Sequence, residues 1–215
     1  MFTLIGDLVG SRHLPDRAGA HRLLADVLAE GTEPLAPAQP LEPTVGDEVQ
    51  GGFAPLAEAT QATLLIRLGC LPTVDVRFGL GDGAVEIHDP DRRPLLQDGP
   101  GWWAAREAIE TLAAPRRSTA RTWFCAAEQP ETPAGSPPTA DPQRTPPPGT
   151  VNAYLLCRDQ LVDRLPDRGR RMLRAALLGA TQRAIADQEG ISPSAVSQQF
   201  ARGIGAVRDA QALLR

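Results

Sequence analysis

The sequence predicts an α+β domain, an antiparallel-rich sheet with helices on one face, followed by a small all-α domain. Three observations carry this. Over the first 126 residues apolar patterning switches between periods of two and of three to four, in the order βαββαββαβ. A Pro-rich stretch then interrupts all periodicity, with 8 Pro in the 24 residues 127–150 and no large apolar side chain. Beyond it the pattern is helical only.

The elements follow in order. Phe2 to Ile5 is a short apolar strand running into Gly6-Asp7. Asp16 to Glu30 places Ala20, Leu23, Leu24, Val27 and Leu28 at helical spacing. Leu41 to Val45 and Val49 to Phe53 read as two strands around the turn Gly46-Asp47-Glu48. Pro55 starts a second helix whose apolar face includes Leu56, Ala59, Thr63, Leu64 and Ile66. Thr73 to Leu80 alternates Val74, Val76 and Phe78 inward, and Gly81-Asp82-Gly83 turns it into Ala84 to Ile87 as a second hairpin. Gly101 to Leu112 is a third helix and Thr122 to Ala126 a last strand. The organisation is thus a front domain over 1–126, a disordered linker over 127–150 and a helical domain over 151–215.

Charge divides along the same line. Residues 1–150 carry 12 Arg against 20 acidic residues, and residues 151–215 carry 10 Arg against 6. An acidic front and a basic tail suggest different partners, or simply an Arg-rich solvated helical surface in the tail. All 22 basic residues are Arg, which reads as genome composition. The three cysteines, Cys70, Cys125 and Cys157, are widely spaced, which excludes a disulfide framework and a structural zinc site. No apolar run reaches the roughly 18 residues of a membrane span, the best being Ala62 to Leu71, broken by Arg67. The N-terminus shows no signal-peptide pattern, so the expected location is the cytoplasm, with no membrane partner.

Two carboxylates stand where chemistry can occur. Asp7 closes the first strand and Asp47 tips the next hairpin, so neighbouring strands would bring both to one point. Mg2+ or Mn2+ suits one or two carboxylates together with phosphate oxygens. After Asp7, the Leu8-Val9-Gly10-Ser11 loop offers backbone N–H groups to a phosphate, and Arg12 a bidentate contact. The plainer alternative is that both Asp side chains bond their own turns and Ser11 is an ordinary cap. His13, His21 and His88 lie in polar surroundings and are expected at the surface. Trp102-Trp103 fits core, a dimer surface or base stacking.

The tail contains its own legible motif. Val151 to Val162 and a segment from Asp167 closed by Gly179 are helix candidates. Thr181 caps a further helix that ends at Gly190, and Ser192-Pro193 opens the next. Small Ala186 lets the two cross closely, with Ile185, Ile191, Val196 and Phe200 filling the angle, which is the grammar of a helix-turn-helix. Its second helix would present Ser194, Ser197 and Gln198 to base edges, with Arg183, Arg202 and Arg208 on phosphates. A helical hairpin used for packing or dimerisation is the alternative.

The segments LIGDLVGSR, TVGDEVQGGF, VDVRFGLGDG and DGPGWWAAREAIE together resemble the SatD family of bacterial proteins. The front domain also resembles class III nucleotide cyclase domains, relatives of the polymerase palm, which implies a cyclase-like, ferredoxin-like sheet. That resemblance implies that Asp7 and Asp47 hold metal over a nucleotide, that Leu8 to Ser11 wraps its phosphates and that Arg106 stabilises the transition state. The chain departs from the cyclase pattern where Trp102 replaces an Asn, removing one electrostatic contributor typically worth about a few kcal/mol. The tail resembles the DNA-binding segments of sigma-factor and LuxR-type regulators at Gln182, Ala186, Gly190 and Val196. Together these predict a homodimeric DNA-binding regulator of transcription whose front domain binds a metal–nucleotide or supplies the dimer. The alternatives are a metal-dependent nucleotidyl cyclase or transferase using Asp7 and Asp47, and a non-catalytic interaction protein.

Overall fold

A computed structural model describes residues 1–31, 33–44, 46–114, 119–128 and 145–214. Seven strands and eight α-helices are found among them. They are β1 (Phe2–Leu8), α1 (Arg17–Gly31), β2 (Gln39–Pro43), β3 (Val49–Phe53), α2 (Leu56–Cys70), β4 (Val76–Asp82), β5 (Glu86–Asp89), β6 (Leu96–Asp98), α3 (Pro100–Ala113), β7 (Thr122–Ala126), α4 (Pro148–Arg164), α5 (Asp167–Leu177), α6 (Gln182–Glu189), α7 (Pro193–Gln199) and α8 (Gly205–Ala212). The α+β class expected from the patterning is what the chain adopts.

The main sheet has the order β2-β3-β1-β4-β7. All its pairings are antiparallel except β4 with β7. The second expected hairpin is corrected by this order. β4 has β1 on one side and β7 on the other, so neither edge is left for the chain after Gly83. That chain instead pairs with a strand absent from the expected pattern, as the separate β5-β6 ribbon.

The expectation of helices on one face is also corrected. Even-numbered residues of β1 (Phe2, Leu4, Leu8) pack with Phe78, Leu80 and Phe124 against α1, α2 and the start of α4. Odd-numbered Ile5 faces the other way, onto Trp102, Ala105 and Ile109 of α3. Gly79 and Gly81 make this second layer possible. A Cβ on Gly79 would lie 2.2 Å from the Ala105 carbonyl oxygen, and one on Gly81 would lie 2.2 Å from that of Gly101. The helix backbone therefore lies directly on the sheet, and Thr3 donates its hydroxyl to the Gly101 carbonyl at 2.7 Å.

α2 is buried around nearly its whole circumference. One side meets the sheet, while Leu64 and Leu68 join Val162, Met172, Leu173, Ile185, Val196 and Ile204 in a second core. Helices after the Pro-rich stretch thus pack on the α+β layer through α2. Most of the expected linker, residues 129–144, lies outside the described residues, and its last three, 148–150, form the first turn of α4.

α4 also seals the free edge of β7. The Asn152 side chain accepts from the Phe124 N–H and donates to the Phe124 carbonyl, both at 2.8 Å, in place of a further strand. Asp159 accepts from the N–H groups of Arg121 and Thr122, both at 2.8 Å. No helix among the described residues is long and apolar enough to cross a membrane.

Candidate functional site: a carboxylate–guanidinium cleft

β1 and β4 pair with Asp7 directly opposite Arg77, on the face that carries α3. Directly opposed residues of an antiparallel pair interact strongly, and here the charges are opposite. Arg77 donates from Nε and Nη2 to the two Asp7 oxygens at 2.6 and 2.8 Å. α3 covers Ile5 and Gly79 but leaves this pair about a quarter exposed, Arg77 at 29% and Asp7 at 25%. Gly6 pairs with Val49 on the other side of β1, which sets the turn bearing Asp47 beside Leu8.

The result is a cleft of about 320 Å3 lined by Asp7, Leu8, Gly10, Ser11, Arg12 and Asp47, together with His13 and Arg77. All of the expected metal and phosphate residues meet there except Val9, whose N–H is spent on the Asp75 carbonyl at 2.9 Å. The hydrogen bond to Asp7 outweighs partial burial and keeps the Arg77 guanidinium more basic than usual, with Asp47 adding to the same field. Ser11 is buried and Arg12 is exposed.

Arg106 does not line this cleft. It reaches from α3 to the turn and grips Glu48 at 2.7 and 2.9 Å. Partial burial pushes the Glu48 carboxyl up, but hydrogen bonds from Arg106 and Gln50 hold it below the usual carboxylate range. Of the tandem tryptophans, Trp102 is core, and Trp103 is exposed with its indole N–H on Asp98 at 2.7 Å. Arg77 and Glu48 are the residues that sequence reasoning missed. Arg77 was legible as the polar residue between inward Val76 and Phe78, but its partner depends on the β1–β4 register.

A divalent cation in this cleft would share Asp7 with the Arg77 guanidinium. Both oxygens of Asp7 are engaged by Arg77. Among the described residues no group of three or more His, Cys, Asp or Glu side chains is placed to hold a metal.

The second candidate surface lies on α6 and α7. Thr181 and Ser192 cap them, each accepting from the backbone N–H three residues on at 3.2 Å. Gly190 takes the left-handed conformation at φ 65°, where a side chain would be strained. Ile185, Ala186 and Val196 are buried, and Arg183, Ser194, Ser197, Gln198 and Arg202 are all exposed. Ser194 shares a 2.9 Å contact with Ser192. Arg208 turns back, stacking on Phe200 and pairing with Asp209. Part of the tail's positive charge is also spent inside it, since Arg171 holds Glu189 at 2.6 Å with Arg168 nearby at 3.7 Å.

The fold and its cleft define an α+β protein with a polar, charge-paired pocket at the end of its central strand, carrying a helical layer that includes a capped helix pair. The SatD family model matches residues 1–118, and the chain belongs to the SatD family. That match spans every residue of the cleft and ends just before β7. No curated protein and no solved structure matches the chain.

Proposed function

We propose that this protein is a DNA-binding regulator whose α6–α7 pair is a helix-turn-helix, with α7 entering the major groove. The observation that carries this is the two-sidedness of α7. Val196 is fully buried against α6, while Ser194, Ser197 and Gln198 stand exposed on a helix with no neighbour on that side among the described residues. Gln198 suits the paired donor and acceptor of adenine, and the serines tolerate several bases. Arg183 and Arg202 flank the row and would take phosphates. With so few cations on one copy, useful affinity calls for a homodimer on paired half-sites.

The test is fluorescence anisotropy of the full chain against a randomised duplex pool, followed by sequencing of the retained fraction. The expected result is a defined retained motif, binding that falls steeply between about 50 and 200 mM salt, and loss of motif preference in Gln198→Ala. Retention of no duplex at low salt overturns the proposal.

A second function is supported for the front domain. The order β2-β3-β1-β4, with α1 and α2 on one face, is that of a ferredoxin-like βαββαβ unit, the topology of palm and cyclase domains. We propose that the cleft at Asp7 and Asp47 is a nucleotide site in that unit. Asp7 and Asp47 are the residues that would hold a Mg2+ or Mn2+ ion there, Asp7 sharing its carboxylate with Arg77. The nucleotidyl cyclase or transferase alternative is tested by incubating ATP or GTP with Mn2+ and the wild type or Asp47→Asn. A new product made only by the wild type would establish it.

A further inference from the structure

We infer that the cleft binds a phosphate monoester directly on Arg77 and Arg12, with Arg77 taking the place beside Asp7 that a divalent cation would hold. This deepens the reading of the cleft as a nucleotide site and rests on it.

The geometry of the Asp7–Arg77 pair separates two roles. Asp7 occupies one edge of the guanidinium, taking one hydrogen from Nε and one from Nη2. A guanidinium carries five N–H donors in a fixed fork. The remaining Nη1–Nη2 edge makes no hydrogen bond among the described residues, and Arg77 lines the cleft. That edge has the spacing for two parallel bonds to a phosphate, the strongest neutralising contact that a side chain offers. Asp7 therefore orients a cation already in place, and a metal ion on its remaining lone pairs would sit against the charge of that guanidinium.

The rest of the cleft fits the same ligand. Arg12 faces it with no ion pair among the described residues, and the Ser11 hydroxyl, in a residue 9% exposed, has no hydrogen-bond partner among them. All three donors line the one cleft, where a tetrahedral oxyanion would accept from them. Asp47 repels that anion, so it suits the other half of the ligand, accepting from sugar hydroxyls. The ligand class is a phosphorylated sugar, of which a nucleotide is the commonest form. Arg77 is a binding residue, and Asp7 a positioning residue that acts through it.

The experiment is titration calorimetry of the full chain with AMP and, separately, inorganic phosphate, each in EDTA and in Mn2+. The variants are Arg77→Gln, Arg77→Lys and Asp7→Asn, each checked for a native melting transition. Expected are AMP binding in EDTA that Mn2+ changes by less than twofold, and a tenfold or greater loss in Arg77→Gln. Arg77→Lys should fail to rescue, because it keeps the charge without the second fork edge, and Asp7→Asn should weaken binding less than Arg77→Gln. Binding that requires Mn2+ and survives in Arg77→Gln overturns the inference while leaving the cleft a nucleotide site. Binding of neither probe under any condition overturns both. Inorganic phosphate binding as tightly as AMP overturns the role given to Asp47.

Discussion

Arg158 is the residue whose loss tests the architecture most directly. It is 2% exposed and sits on α4, where its neighbour Asp159 is 0% exposed. Its guanidinium donates to Asp159 at 2.9 and 3.1 Å, to the Thr60 carbonyl at 2.9 Å, and to the hydroxyls of Thr63 at 3.1 Å and Thr122 at 2.6 Å. One side chain thus ties α4 to α2 and β7. Arg158→Met fills similar volume but strands Asp159 as a buried, uncompensated charge. Breaking one partner of such a pair costs about 3–5 kcal/mol, against a total stability of roughly 5–15 kcal/mol. At about 2–4 °C per kcal/mol for a chain of this size, the melting temperature should fall by about 6–20 °C. Adding Asp159→Asn removes the stranded charge yet keeps an oxygen for the Arg121 and Thr122 N–H groups, so the double variant should recover at least half of the loss. The assay is calorimetric melting at pH 7. A fall of less than about 2 °C in Arg158→Met, or a double variant as unstable as the single, refutes the reasoning.

Three further outcomes follow from particular side chains. Burial pushes the Asp75 carboxyl up, but the hydrogen bonds and charges of Arg67 and Arg121 outweigh it and hold it below its usual range. Its contribution is therefore complete above the unfolded pKa near ~3.9 and lost as pH falls below it. Urea midpoints should drop between about pH 4 and 2, and Asp75→Asn should be less stable at neutral pH with a shallower acid dependence. Native protein at pH 8 should react quickly with a maleimide at exposed Cys157 alone, because burial pushes the thiols of Cys125 and Cys70 up to about 11 and about 12. Mass spectrometry reads this as one rapid adduct, and a second at the same rate contradicts it. Gly81→Ala should cost about 1–3 kcal/mol or more in urea unfolding, since its Cβ would meet the α3 backbone. A variant as stable as wild type would mean that α3 does not lie where described.

The elements that the sequence made legible were those whose cause is local. The helix ends at Gly190 and Gly179, the caps Thr181 and Ser192, and the turn bearing Asp47 all rest on residues within a few positions of one another. The candidate cleft was legible for the same reason, as Asp7 to Arg12 is one continuous segment and Asp47 marks its own turn. What failed depends on neighbours distant in the chain. The expected second hairpin needed a free edge on β4, and the parallel pairing with β7 takes it. The second helical layer was signalled only by Gly79 and Gly81, two missing side chains whose meaning appears when α3 lies on them. Arg77 gains its partner only through the register that sets it opposite Asp7.

The same holds for the Pro-rich stretch. Its composition marks where the chain cannot bury surface, which says nothing of what its two ends pack against. α2 decides that. A helix apolar on one stripe needs one neighbour, whereas α2, buried nearly all round, needs several, and the segment before the Pro-rich stretch supplies the sheet and α1 but leaves the side bearing Leu64 and Leu68 uncovered. Leu64 and Leu68 are completed by Val162, Met172 and Leu173 from beyond it. Arg67, 2% exposed beside them, bonds Asp75 before the stretch and Asp163 after it, so its charge is balanced from both segments. A front domain cut at residue 126 would leave this face of α2, the edge of β7 and a buried guanidinium partly unpartnered. The SatD-matched residues and the helical tail therefore stand or fall as one packing unit, and a ligand in the Asp7 cleft and a duplex on α7 would act on the same folded body.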